Sequence, residues 1–444
     1  MVLSGIGLLG TIYGVVGFFK YYFYLEEDEL IIKSGVFGKK LVNIPFERIQ
    51  TIDFEQNIVH QIFNVVALKI DTAGSAKSEF KFDALDRKTA EELRTMILQK
   101  KKNLVKSSSA VILQDEPLVE KAETIFTLSP LDLVKVGITE NHFHSFWLIF
   151  AAVMYFMQSV DDLGYNVWNY LEDFNESIFF KSVALIASAI VFFIVISFLY
   201  SLIRTILRYY NLKFQRTDTG FKIIAGLFNR REVAARDNKI QIMNWSQNLL
   251  QKFIKLFEIN LKQASSVQVK SKKSIIVPGS YMQQIDDVQS YLFRKGELDG
   301  LEFKKVSVHY FYRRAIFLSF ALIVVSTILF LVDKQLVLTG LIPLFSIWIL
   351  SSYLSYKKKK YAVNDFVLQT NGGVYGHGHS LMKLYKVQSV KIKRNLYQRR
   401  RGLSTIIVYT ASGGLSIPYI PHEKAVQLMD YFLYKVENSK AKWM

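Results

Sequence analysis

Residues 35–50 read GVFGKKLVNIPFERIQ, and the stretch continues through Gln56-Asn57 to Thr72-Ala73. The chain carries it three times. A second copy runs Gly226-Leu227-Phe228, Ile240-Gln241, Gln247-Asn248, Gln263-Ala264, and a third Gly373-Val374-Tyr375, Val387-Gln388, Arg394-Asn395, Thr410-Ala411. In each copy the middle Gln follows the opening Gly by 15 residues, and the closing Ala follows that Gln by 23. Marks held in one gap-free register define an internal repeat, and with it three related structural units.

Inside a copy the hydrophobic period changes. Short runs such as Leu30 to Ile32, Ala67 to Ile70 and Ile406 to Tyr409 are rich in β-branched and aromatic residues and bounded by Gly, Asn or Ser, which predicts strands. Each copy then ends on a helical spacing: Ala90, Leu93 and Ile97; Ile285, Val288 and Leu292; Ala425, Leu428 and Phe432. A strand-rich module closed by one amphipathic helix is the expected unit.

Half of the 444 residues are hydrophobic, yet the chain carries 56 Lys and Arg against 38 Asp and Glu, a net charge of +18. Such a surplus fits nucleic acid or an anionic membrane surface. No cysteine is present, so disulfides, thiolate nucleophiles and cysteine metal sites are excluded.

Five apolar segments decide between those two surfaces: Val2 to Phe19, Phe146 to Val160, Phe179 to Ile203, Ala315 to Val332 and Leu336 to Leu354. They are read as transmembrane helices. The first competes with a cleaved signal peptide, but its only Lys, Lys20, follows the apolar run instead of preceding it. Beyond Lys181 the spans hold no Asp, Glu, Lys, Arg or His, which disfavours an ion-coupled transporter. The loop between the second and third spans is acidic, whereas Lys20, Arg204, Arg208, Arg313, Arg314 and Lys357 to Lys360 flank the opposite side. The positive-inside rule then puts all three repeats in the cytoplasm of a bacterial plasma membrane and the N-terminus outside.

The string Ile44-Pro45-Phe46-Glu47-Arg48-Ile49-Gln50-Thr51-Ile52, with Gly35 before it and Asp71-Thr72-Ala73-Gly74 after it, resembles the bacterial membrane-flanked pleckstrin-homology domain family. Three such domains alternating with hairpins resemble its YdbT-like members in particular. The resemblance implies a bent antiparallel sheet capped by a C-terminal helix, and no established catalytic activity. Three departures stand out. One span precedes the first domain where the family has two. The second copy reads Gln263-Ala264-Ser265 for Thr-Ala-Gly and Ala235-Arg236 at the Pro45 position. The family's Arg late in the central segment is Gln61, Lys252 and Arg399 in the three copies.

The expected architecture is therefore membrane α-helical plus β-rich, with five transmembrane helices alternating with three PH-like domains. Residues 1–19 form the first span, 20–105 the first domain, and 106–142 a connector with a short helix starting at Ser129-Pro130-Leu131-Asp132. Residues 143–203 form spans two and three, 204–310 the second domain, 311–356 spans four and five, and 357–444 the third domain.

Candidate contacts to anionic lipid or a partner are the basic pairs Lys39-Lys40 and Arg230-Arg231, Lys252, the run Lys357, Lys358, Lys359 and Lys360, and Arg399, Arg400 and Arg401. Clustered juxtamembrane cations each add roughly 1 kcal/mol toward anionic lipid. The competing reading is a solvated hairpin tip for the pairs and topogenic anchoring for the lysine run. Gly376-His377-Gly378-His379 reads as a flexible turn more readily than as a metal site. No phosphate-binding loop, nucleophile elbow or zinc-protease signature occurs, and no aromatic-basic nucleic-acid motif. The expected function is a binding or scaffolding module at the membrane surface, not an enzyme, with no cofactor and no nucleic-acid partner. Its partners would be the phospholipid membrane and, by analogy, a single-domain PH-like protein of the same family; a lipid or small-molecule transporter gated by its cytoplasmic domains is the alternative.

Overall fold

The computed structural model describes residues 16–17, 19–26, 28–36, 38, 40–72, 79–107, 122–163, 179–264, 274–330 and 342–439. In the first repeat, β1 (Tyr22–Leu25), β2 (Glu29–Ser34) and β3 (Lys40–Pro45) form one antiparallel sheet. Then β4 (Ile49–Gln56), the short helix α1 (Ile58–Ile62), β5 (Val65–Thr72), β6 (Glu79–Asp86) and the closing helix α2 (Arg87–Ser107) follow. The second repeat repeats this order. It begins with β7 (Glu123–Thr127) and helices α3 (Pro130–Thr139), α4 (Phe143–Asp162) and α5 (Phe179–Tyr209). Strands β8 (Lys213–Thr217), β9 (Gly220–Ala225), β10 (Arg230–Arg236) and β11 (Ile240–Gln247) come next, then α6 (Leu249–Phe253), β12 (Phe257–Gln263), β13 (Ser274–Ser280) and α7 (Met282–Leu292). The third comprises β14 (Lys304–Lys305), helices α8 (His309–Phe330) and α9 (Ile342–Lys358), β15 (Lys360–Val363), β16 (Val367–Gly372) and β17 (His377–Lys383). It ends with β18 (Ser389–Lys393), α10 (Leu396–Arg400), β19 (Leu403–Thr410), β20 (Gly413–Pro421) and α11 (His422–Glu437).

The repeated marks have local physical causes. Gly35, Gly226 and Gly373 adopt φ of +116°, +111° and +121°. A Cβ there would lie 1.9, 2.2 and 2.5 Å from the carbonyl oxygen three residues on, so only glycine closes these hairpins. Asn57, Asn248 and Asn395 are N-caps, each accepting from the backbone N–H three residues later at 2.7–2.8 Å. Just before each cap stands a side chain that clamps the carbonyl nine residues ahead: Gln56 to Val65 at 3.0 Å, Gln247 to Leu256 at 3.3 Å, Arg394 to Leu403 at 3.2 Å. Arginine thus does in the third copy what glutamine does in the others. The helical apolar positions Ala90, Leu93, Ile97, Ile285, Val288, Ala425, Leu428 and Phe432 are buried against their sheets.

The sheets do not respect the repeat boundaries. One seven-stranded sheet runs β6-β5-β4-β10-β9-β8-β7, joining the second half of repeat one to the first half of repeat two. A second runs β13-β12-β11-β17-β16-β15-β14 across repeats two and three, and β18-β19-β20 form the last sheet. The cores follow: Ile242 of repeat two packs in the third core, while Val367 and Leu381 of repeat three pack in the second.

The expectation of five transmembrane helices is corrected. Among the described residues one helix is long and apolar enough to cross a bilayer, Ile190–Tyr209, 20 residues long with a mean hydropathy of 2.4 over 18 of them. The reason lies in length and flanks. A span needs about 20 apolar residues. Helix α4 reaches 20 only by including His144, Asp161 and Asp162, α8 opens on His309, Arg313 and Arg314, and α9, described from Ile342, ends on Lys357-Lys358. Most of Val2 to Phe19, and residues 331–332 and 336–341 of the fourth and fifth segments, lie outside the described residues. The chain is β-rich with three PH-like sheet units, and α3, α4 and α5 pack together beside the second. As the spacing Ser129-Pro130-Leu131-Asp132 predicts, α3 starts there, with the Ser129 hydroxyl accepting from Asp132 N–H at 3.1 Å.

Candidate functional site

Each repeat presents a hairpin tip to the end of an apolar segment. The Lys20 ammonium donates to the Val36 carbonyl at 3.2 Å. Gly226 and Leu227 donate to the carbonyls of Tyr210 and Leu207, at the end of α5. Lys358, at the end of α9, donates to the carbonyls of Val374, Tyr375 and Gly376 at 2.7–2.8 Å. Beside the second tip lies the short capped helix of the preceding repeat: the Gln61 amide donates to the Leu227 carbonyl at 2.8 Å.

Around the second and third tips, and on α10 beside the start of α8, large apolar side chains face outward. Ile62, Phe63, Phe228 and Tyr375 are exposed, Phe253 to 76 % and Leu396 to 77 %. Basic residues stand among them: Arg230, Arg231, Lys252, Arg399, Arg400 and Arg401 are exposed. Apolar groups flanked by cations at the end of an apolar helix suit the headgroup zone, where the first enter the acyl boundary and the second meet phosphate.

The remaining candidates are placed differently. Lys39 lies outside the described residues, and Lys40 is exposed on the outer edge of β3. Lys357 is exposed, but Lys358 is committed to its three carbonyls and Lys359 is half-buried, its pKa lowered by burial. Lys360 pairs within the sheet opposite Asn371. Nor is His377-Gly378-His379 a loose turn: it opens β17, and the His379 ring stacks on Trp245 of repeat two, centroids 5.1 Å apart and 10° from parallel. A β-strand forms there because the edge of β11 supplies the hydrogen bonds.

Sequence reasoning missed the residues of the two joints. At the first, Glu232 on β10 meets Arg94 of α2 at 2.6 Å and Lys222 at 2.6 Å. Burial alone would raise the Glu232 pKa, but the two cations outweigh it and hold the carboxyl below its ordinary value. Asp53 of β4 accepts from the Ala234 N–H at 3.3 Å. At the second joint the Lys386 ammonium donates to the carbonyls of Asp237, Asn238 and Ile240, beside a cavity of about 230 Å³ lined by Gln241, Phe293 and Lys383. A signal did exist: Arg48, Lys239 and Lys386 occupy one repeat position, just before the Ile-Gln or Val-Gln pair.

Burial, with Lys383 nearby, pushes Lys386 down to about 8 from its ordinary 10.5. In that window the unfolded chain binds more protons than the folded one, so folding is favoured as pH rises from about 8 toward 10.5. The thermal midpoint of the wild type is expected to gain on that of Lys386→Met across this range, read by paired melts.

The family model described as Bacterial PH domain matches residues 1–101, 171–296 and 314–436. The UPF0699 transmembrane protein YdbT of Bacillus subtilis (strain 168) is 22 % identical over 428 residues, covering 93 % of this chain and 84 % of that protein. The likeness to a transmembrane protein points to membrane association. With the three matched stretches falling on the three repeats, the chain belongs to the bacterial PH domain family.

Proposed function

We propose that this protein is a binding and scaffolding module that rests its hairpin tips and short helices on anionic headgroups and assembles there with a membrane-protein partner. The observation that carries the reading is the recurrence of one arrangement: a tip bound to the end of an apolar segment in all three repeats, with exposed Phe253 and Lys252 beside the third tip and exposed Leu396 and Arg399 to Arg401 on α10 beside the start of α8. Three cations such as Arg399, Arg400 and Arg401 contribute about 3 kcal/mol toward an anionic surface at roughly 1 kcal/mol each. The repeats face the cytoplasm of the plasma membrane and the N-terminus the outside in this reading, supported by the basic flanks. The protein acts without catalysis or cofactor, and a single-domain PH-like protein of the same family is the kind of partner it would hold.

Because the chain lacks cysteine, one introduced thiol is a unique reporter. Full-length Phe253→Cys and Leu396→Cys variants would be placed in nanodiscs of neutral or anionic lipid and their reaction with a water-soluble maleimide timed. Anionic lipid is expected to slow labelling several-fold, and added salt to reverse it. Equal rates in both lipids would sink the anionic-surface reading.

A further inference from the structure

The two joints between repeats obey one register. At the first, Gln56 faces Arg230 and Glu55 faces Arg231; at the second, the equivalent Gln247 faces His377 and Ser246 faces Gly378. Repeat three carries the same joining strand, β18, but among the described residues nothing pairs with its outer side. The repeated Gln shows the consequence. Gln241 is 2 % exposed where repeat three covers it, while its counterpart Gln388 is exposed. Ile242 and Met243 are likewise buried, whereas Ser389 is exposed and Val390 half-buried.

At the opposite end of the chain, β3 is the counterpart of β10 and β17, and its outer edge is also unpaired among the described residues. A second copy seated on β18 in the common register would set its Lys40 directly opposite Lys393. Like charges directly opposite destabilise an antiparallel pair. Where the first joint has Glu55 against Arg231, self-joining would have lysine against lysine. Lys391 stands where the first joint has the buried Asp53, adding a second cation to the edge. Lysine on an open edge repels indiscriminate pairing, and it also selects the sign of whatever does pair.

We infer that the outer edge of β18 is a docking site for an antiparallel strand of a different chain, one carrying a carboxylate opposite Lys393. The joint then extends the sheet β18-β19-β20 as repeats two and three extend the sheets before them. This deepens the partner half of the function proposed above and is independent of its lipid half, since Lys393 and Lys391 are not among the proposed headgroup contacts.

The chain's own free ends supply the probe. In full-length Lys393→Glu, the β18 edge of one copy becomes complementary to Lys40 of the next, so the variant is expected to assemble head to tail. Its sedimentation mass in detergent should rise with concentration, with association at least tenfold stronger than wild type. The double variant Lys40→Glu, Lys393→Glu opposes like charges again and should return to the wild-type mass. Lys393→Gln, with no charge of either sign, should fall between. A single reversal that stays monomeric would show that this edge does not accept a strand. A wild type that assembles as strongly as Lys393→Glu would overturn the charge selection and make a second copy the occupant.

Discussion

Glu232→Met is expected to cost this protein about 3–5 kcal/mol, because removing one partner of a buried ion pair strands the other charge. Here two charges are stranded. Arg94 comes from the closing helix of repeat one and Lys222 from β9 of repeat two, and Glu232 is the carboxylate both share, with all three side chains less than a fifth exposed. The loss therefore falls on the joint between repeats and not on either core alone. Replacing the triad together, with Arg94→Met and Lys222→Met added, is expected to recover most of the stability, since an apolar substitute of similar volume carries no desolvation cost. Acid should reproduce the single variant. The Glu232 pKa is lowered in the folded chain, so its contribution is complete above the ordinary carboxylate value of 4.5 and is lost as pH falls through the depressed folded value. Denaturant titrations at neutral and acid pH, on wild type and variant, read both effects. A variant as stable as wild type at neutral pH would show that the triad does not hold the joint.

Gly376→Ala is the second large effect, and it acts on the other joint. A Cβ at this position would lie 1.9 Å from the Gln247 carbonyl oxygen and 2.9 Å from the Asn248 Cα. Both obstacles are backbone, held by β11 and by the capped start of α6, so neither can swing aside. Overpacking against such a surface costs about 3 kcal/mol. The third hairpin must lift from repeat two, uncovering Trp245 from His379. Hydrogen exchange over residues 242–247 and 377–382 is expected to accelerate by about 100-fold, the equivalent of that loss. Gly378→Ala is the control two residues away: its nearest neighbours would be 3.9 and 4.0 Å off, so exchange there should stay close to wild type. Equal behaviour of the two variants would mean that the joint tolerates the added methyl.

What the amino-acid sequence determined by itself is the repeated unit, because each of its marks acts over a few residues. Gly35, Gly226 and Gly373 answer to a local φ, Asn57, Asn248 and Asn395 to the first turn of the helix they cap, and Ala425, Leu428 and Phe432 to a helical period. Such features are legible without knowing what lies across the molecule. Apolarity was less legible: runs of 15 to 19 residues such as Phe146 to Val160 read as spans, yet among the described residues one helix is both long and apolar enough to cross a bilayer.

Only the tertiary structure decided that the repeats share their sheets. A strand offers the same N–H and C=O groups to any neighbour, so nothing local in Ile49–Gln56 states that β10, some 180 residues on, will take its free edge. For the same reason Glu232 reads as one acid in a strand and Lys386 as one more base in a basic chain. Their roles exist only where Arg94, Lys222 or three carbonyl oxygens converge on them from other segments. The tips follow the same logic: Lys358 belongs, by sequence, to an anchoring run, but folding delivers three backbone carbonyls to its ammonium and assigns it to the hairpin.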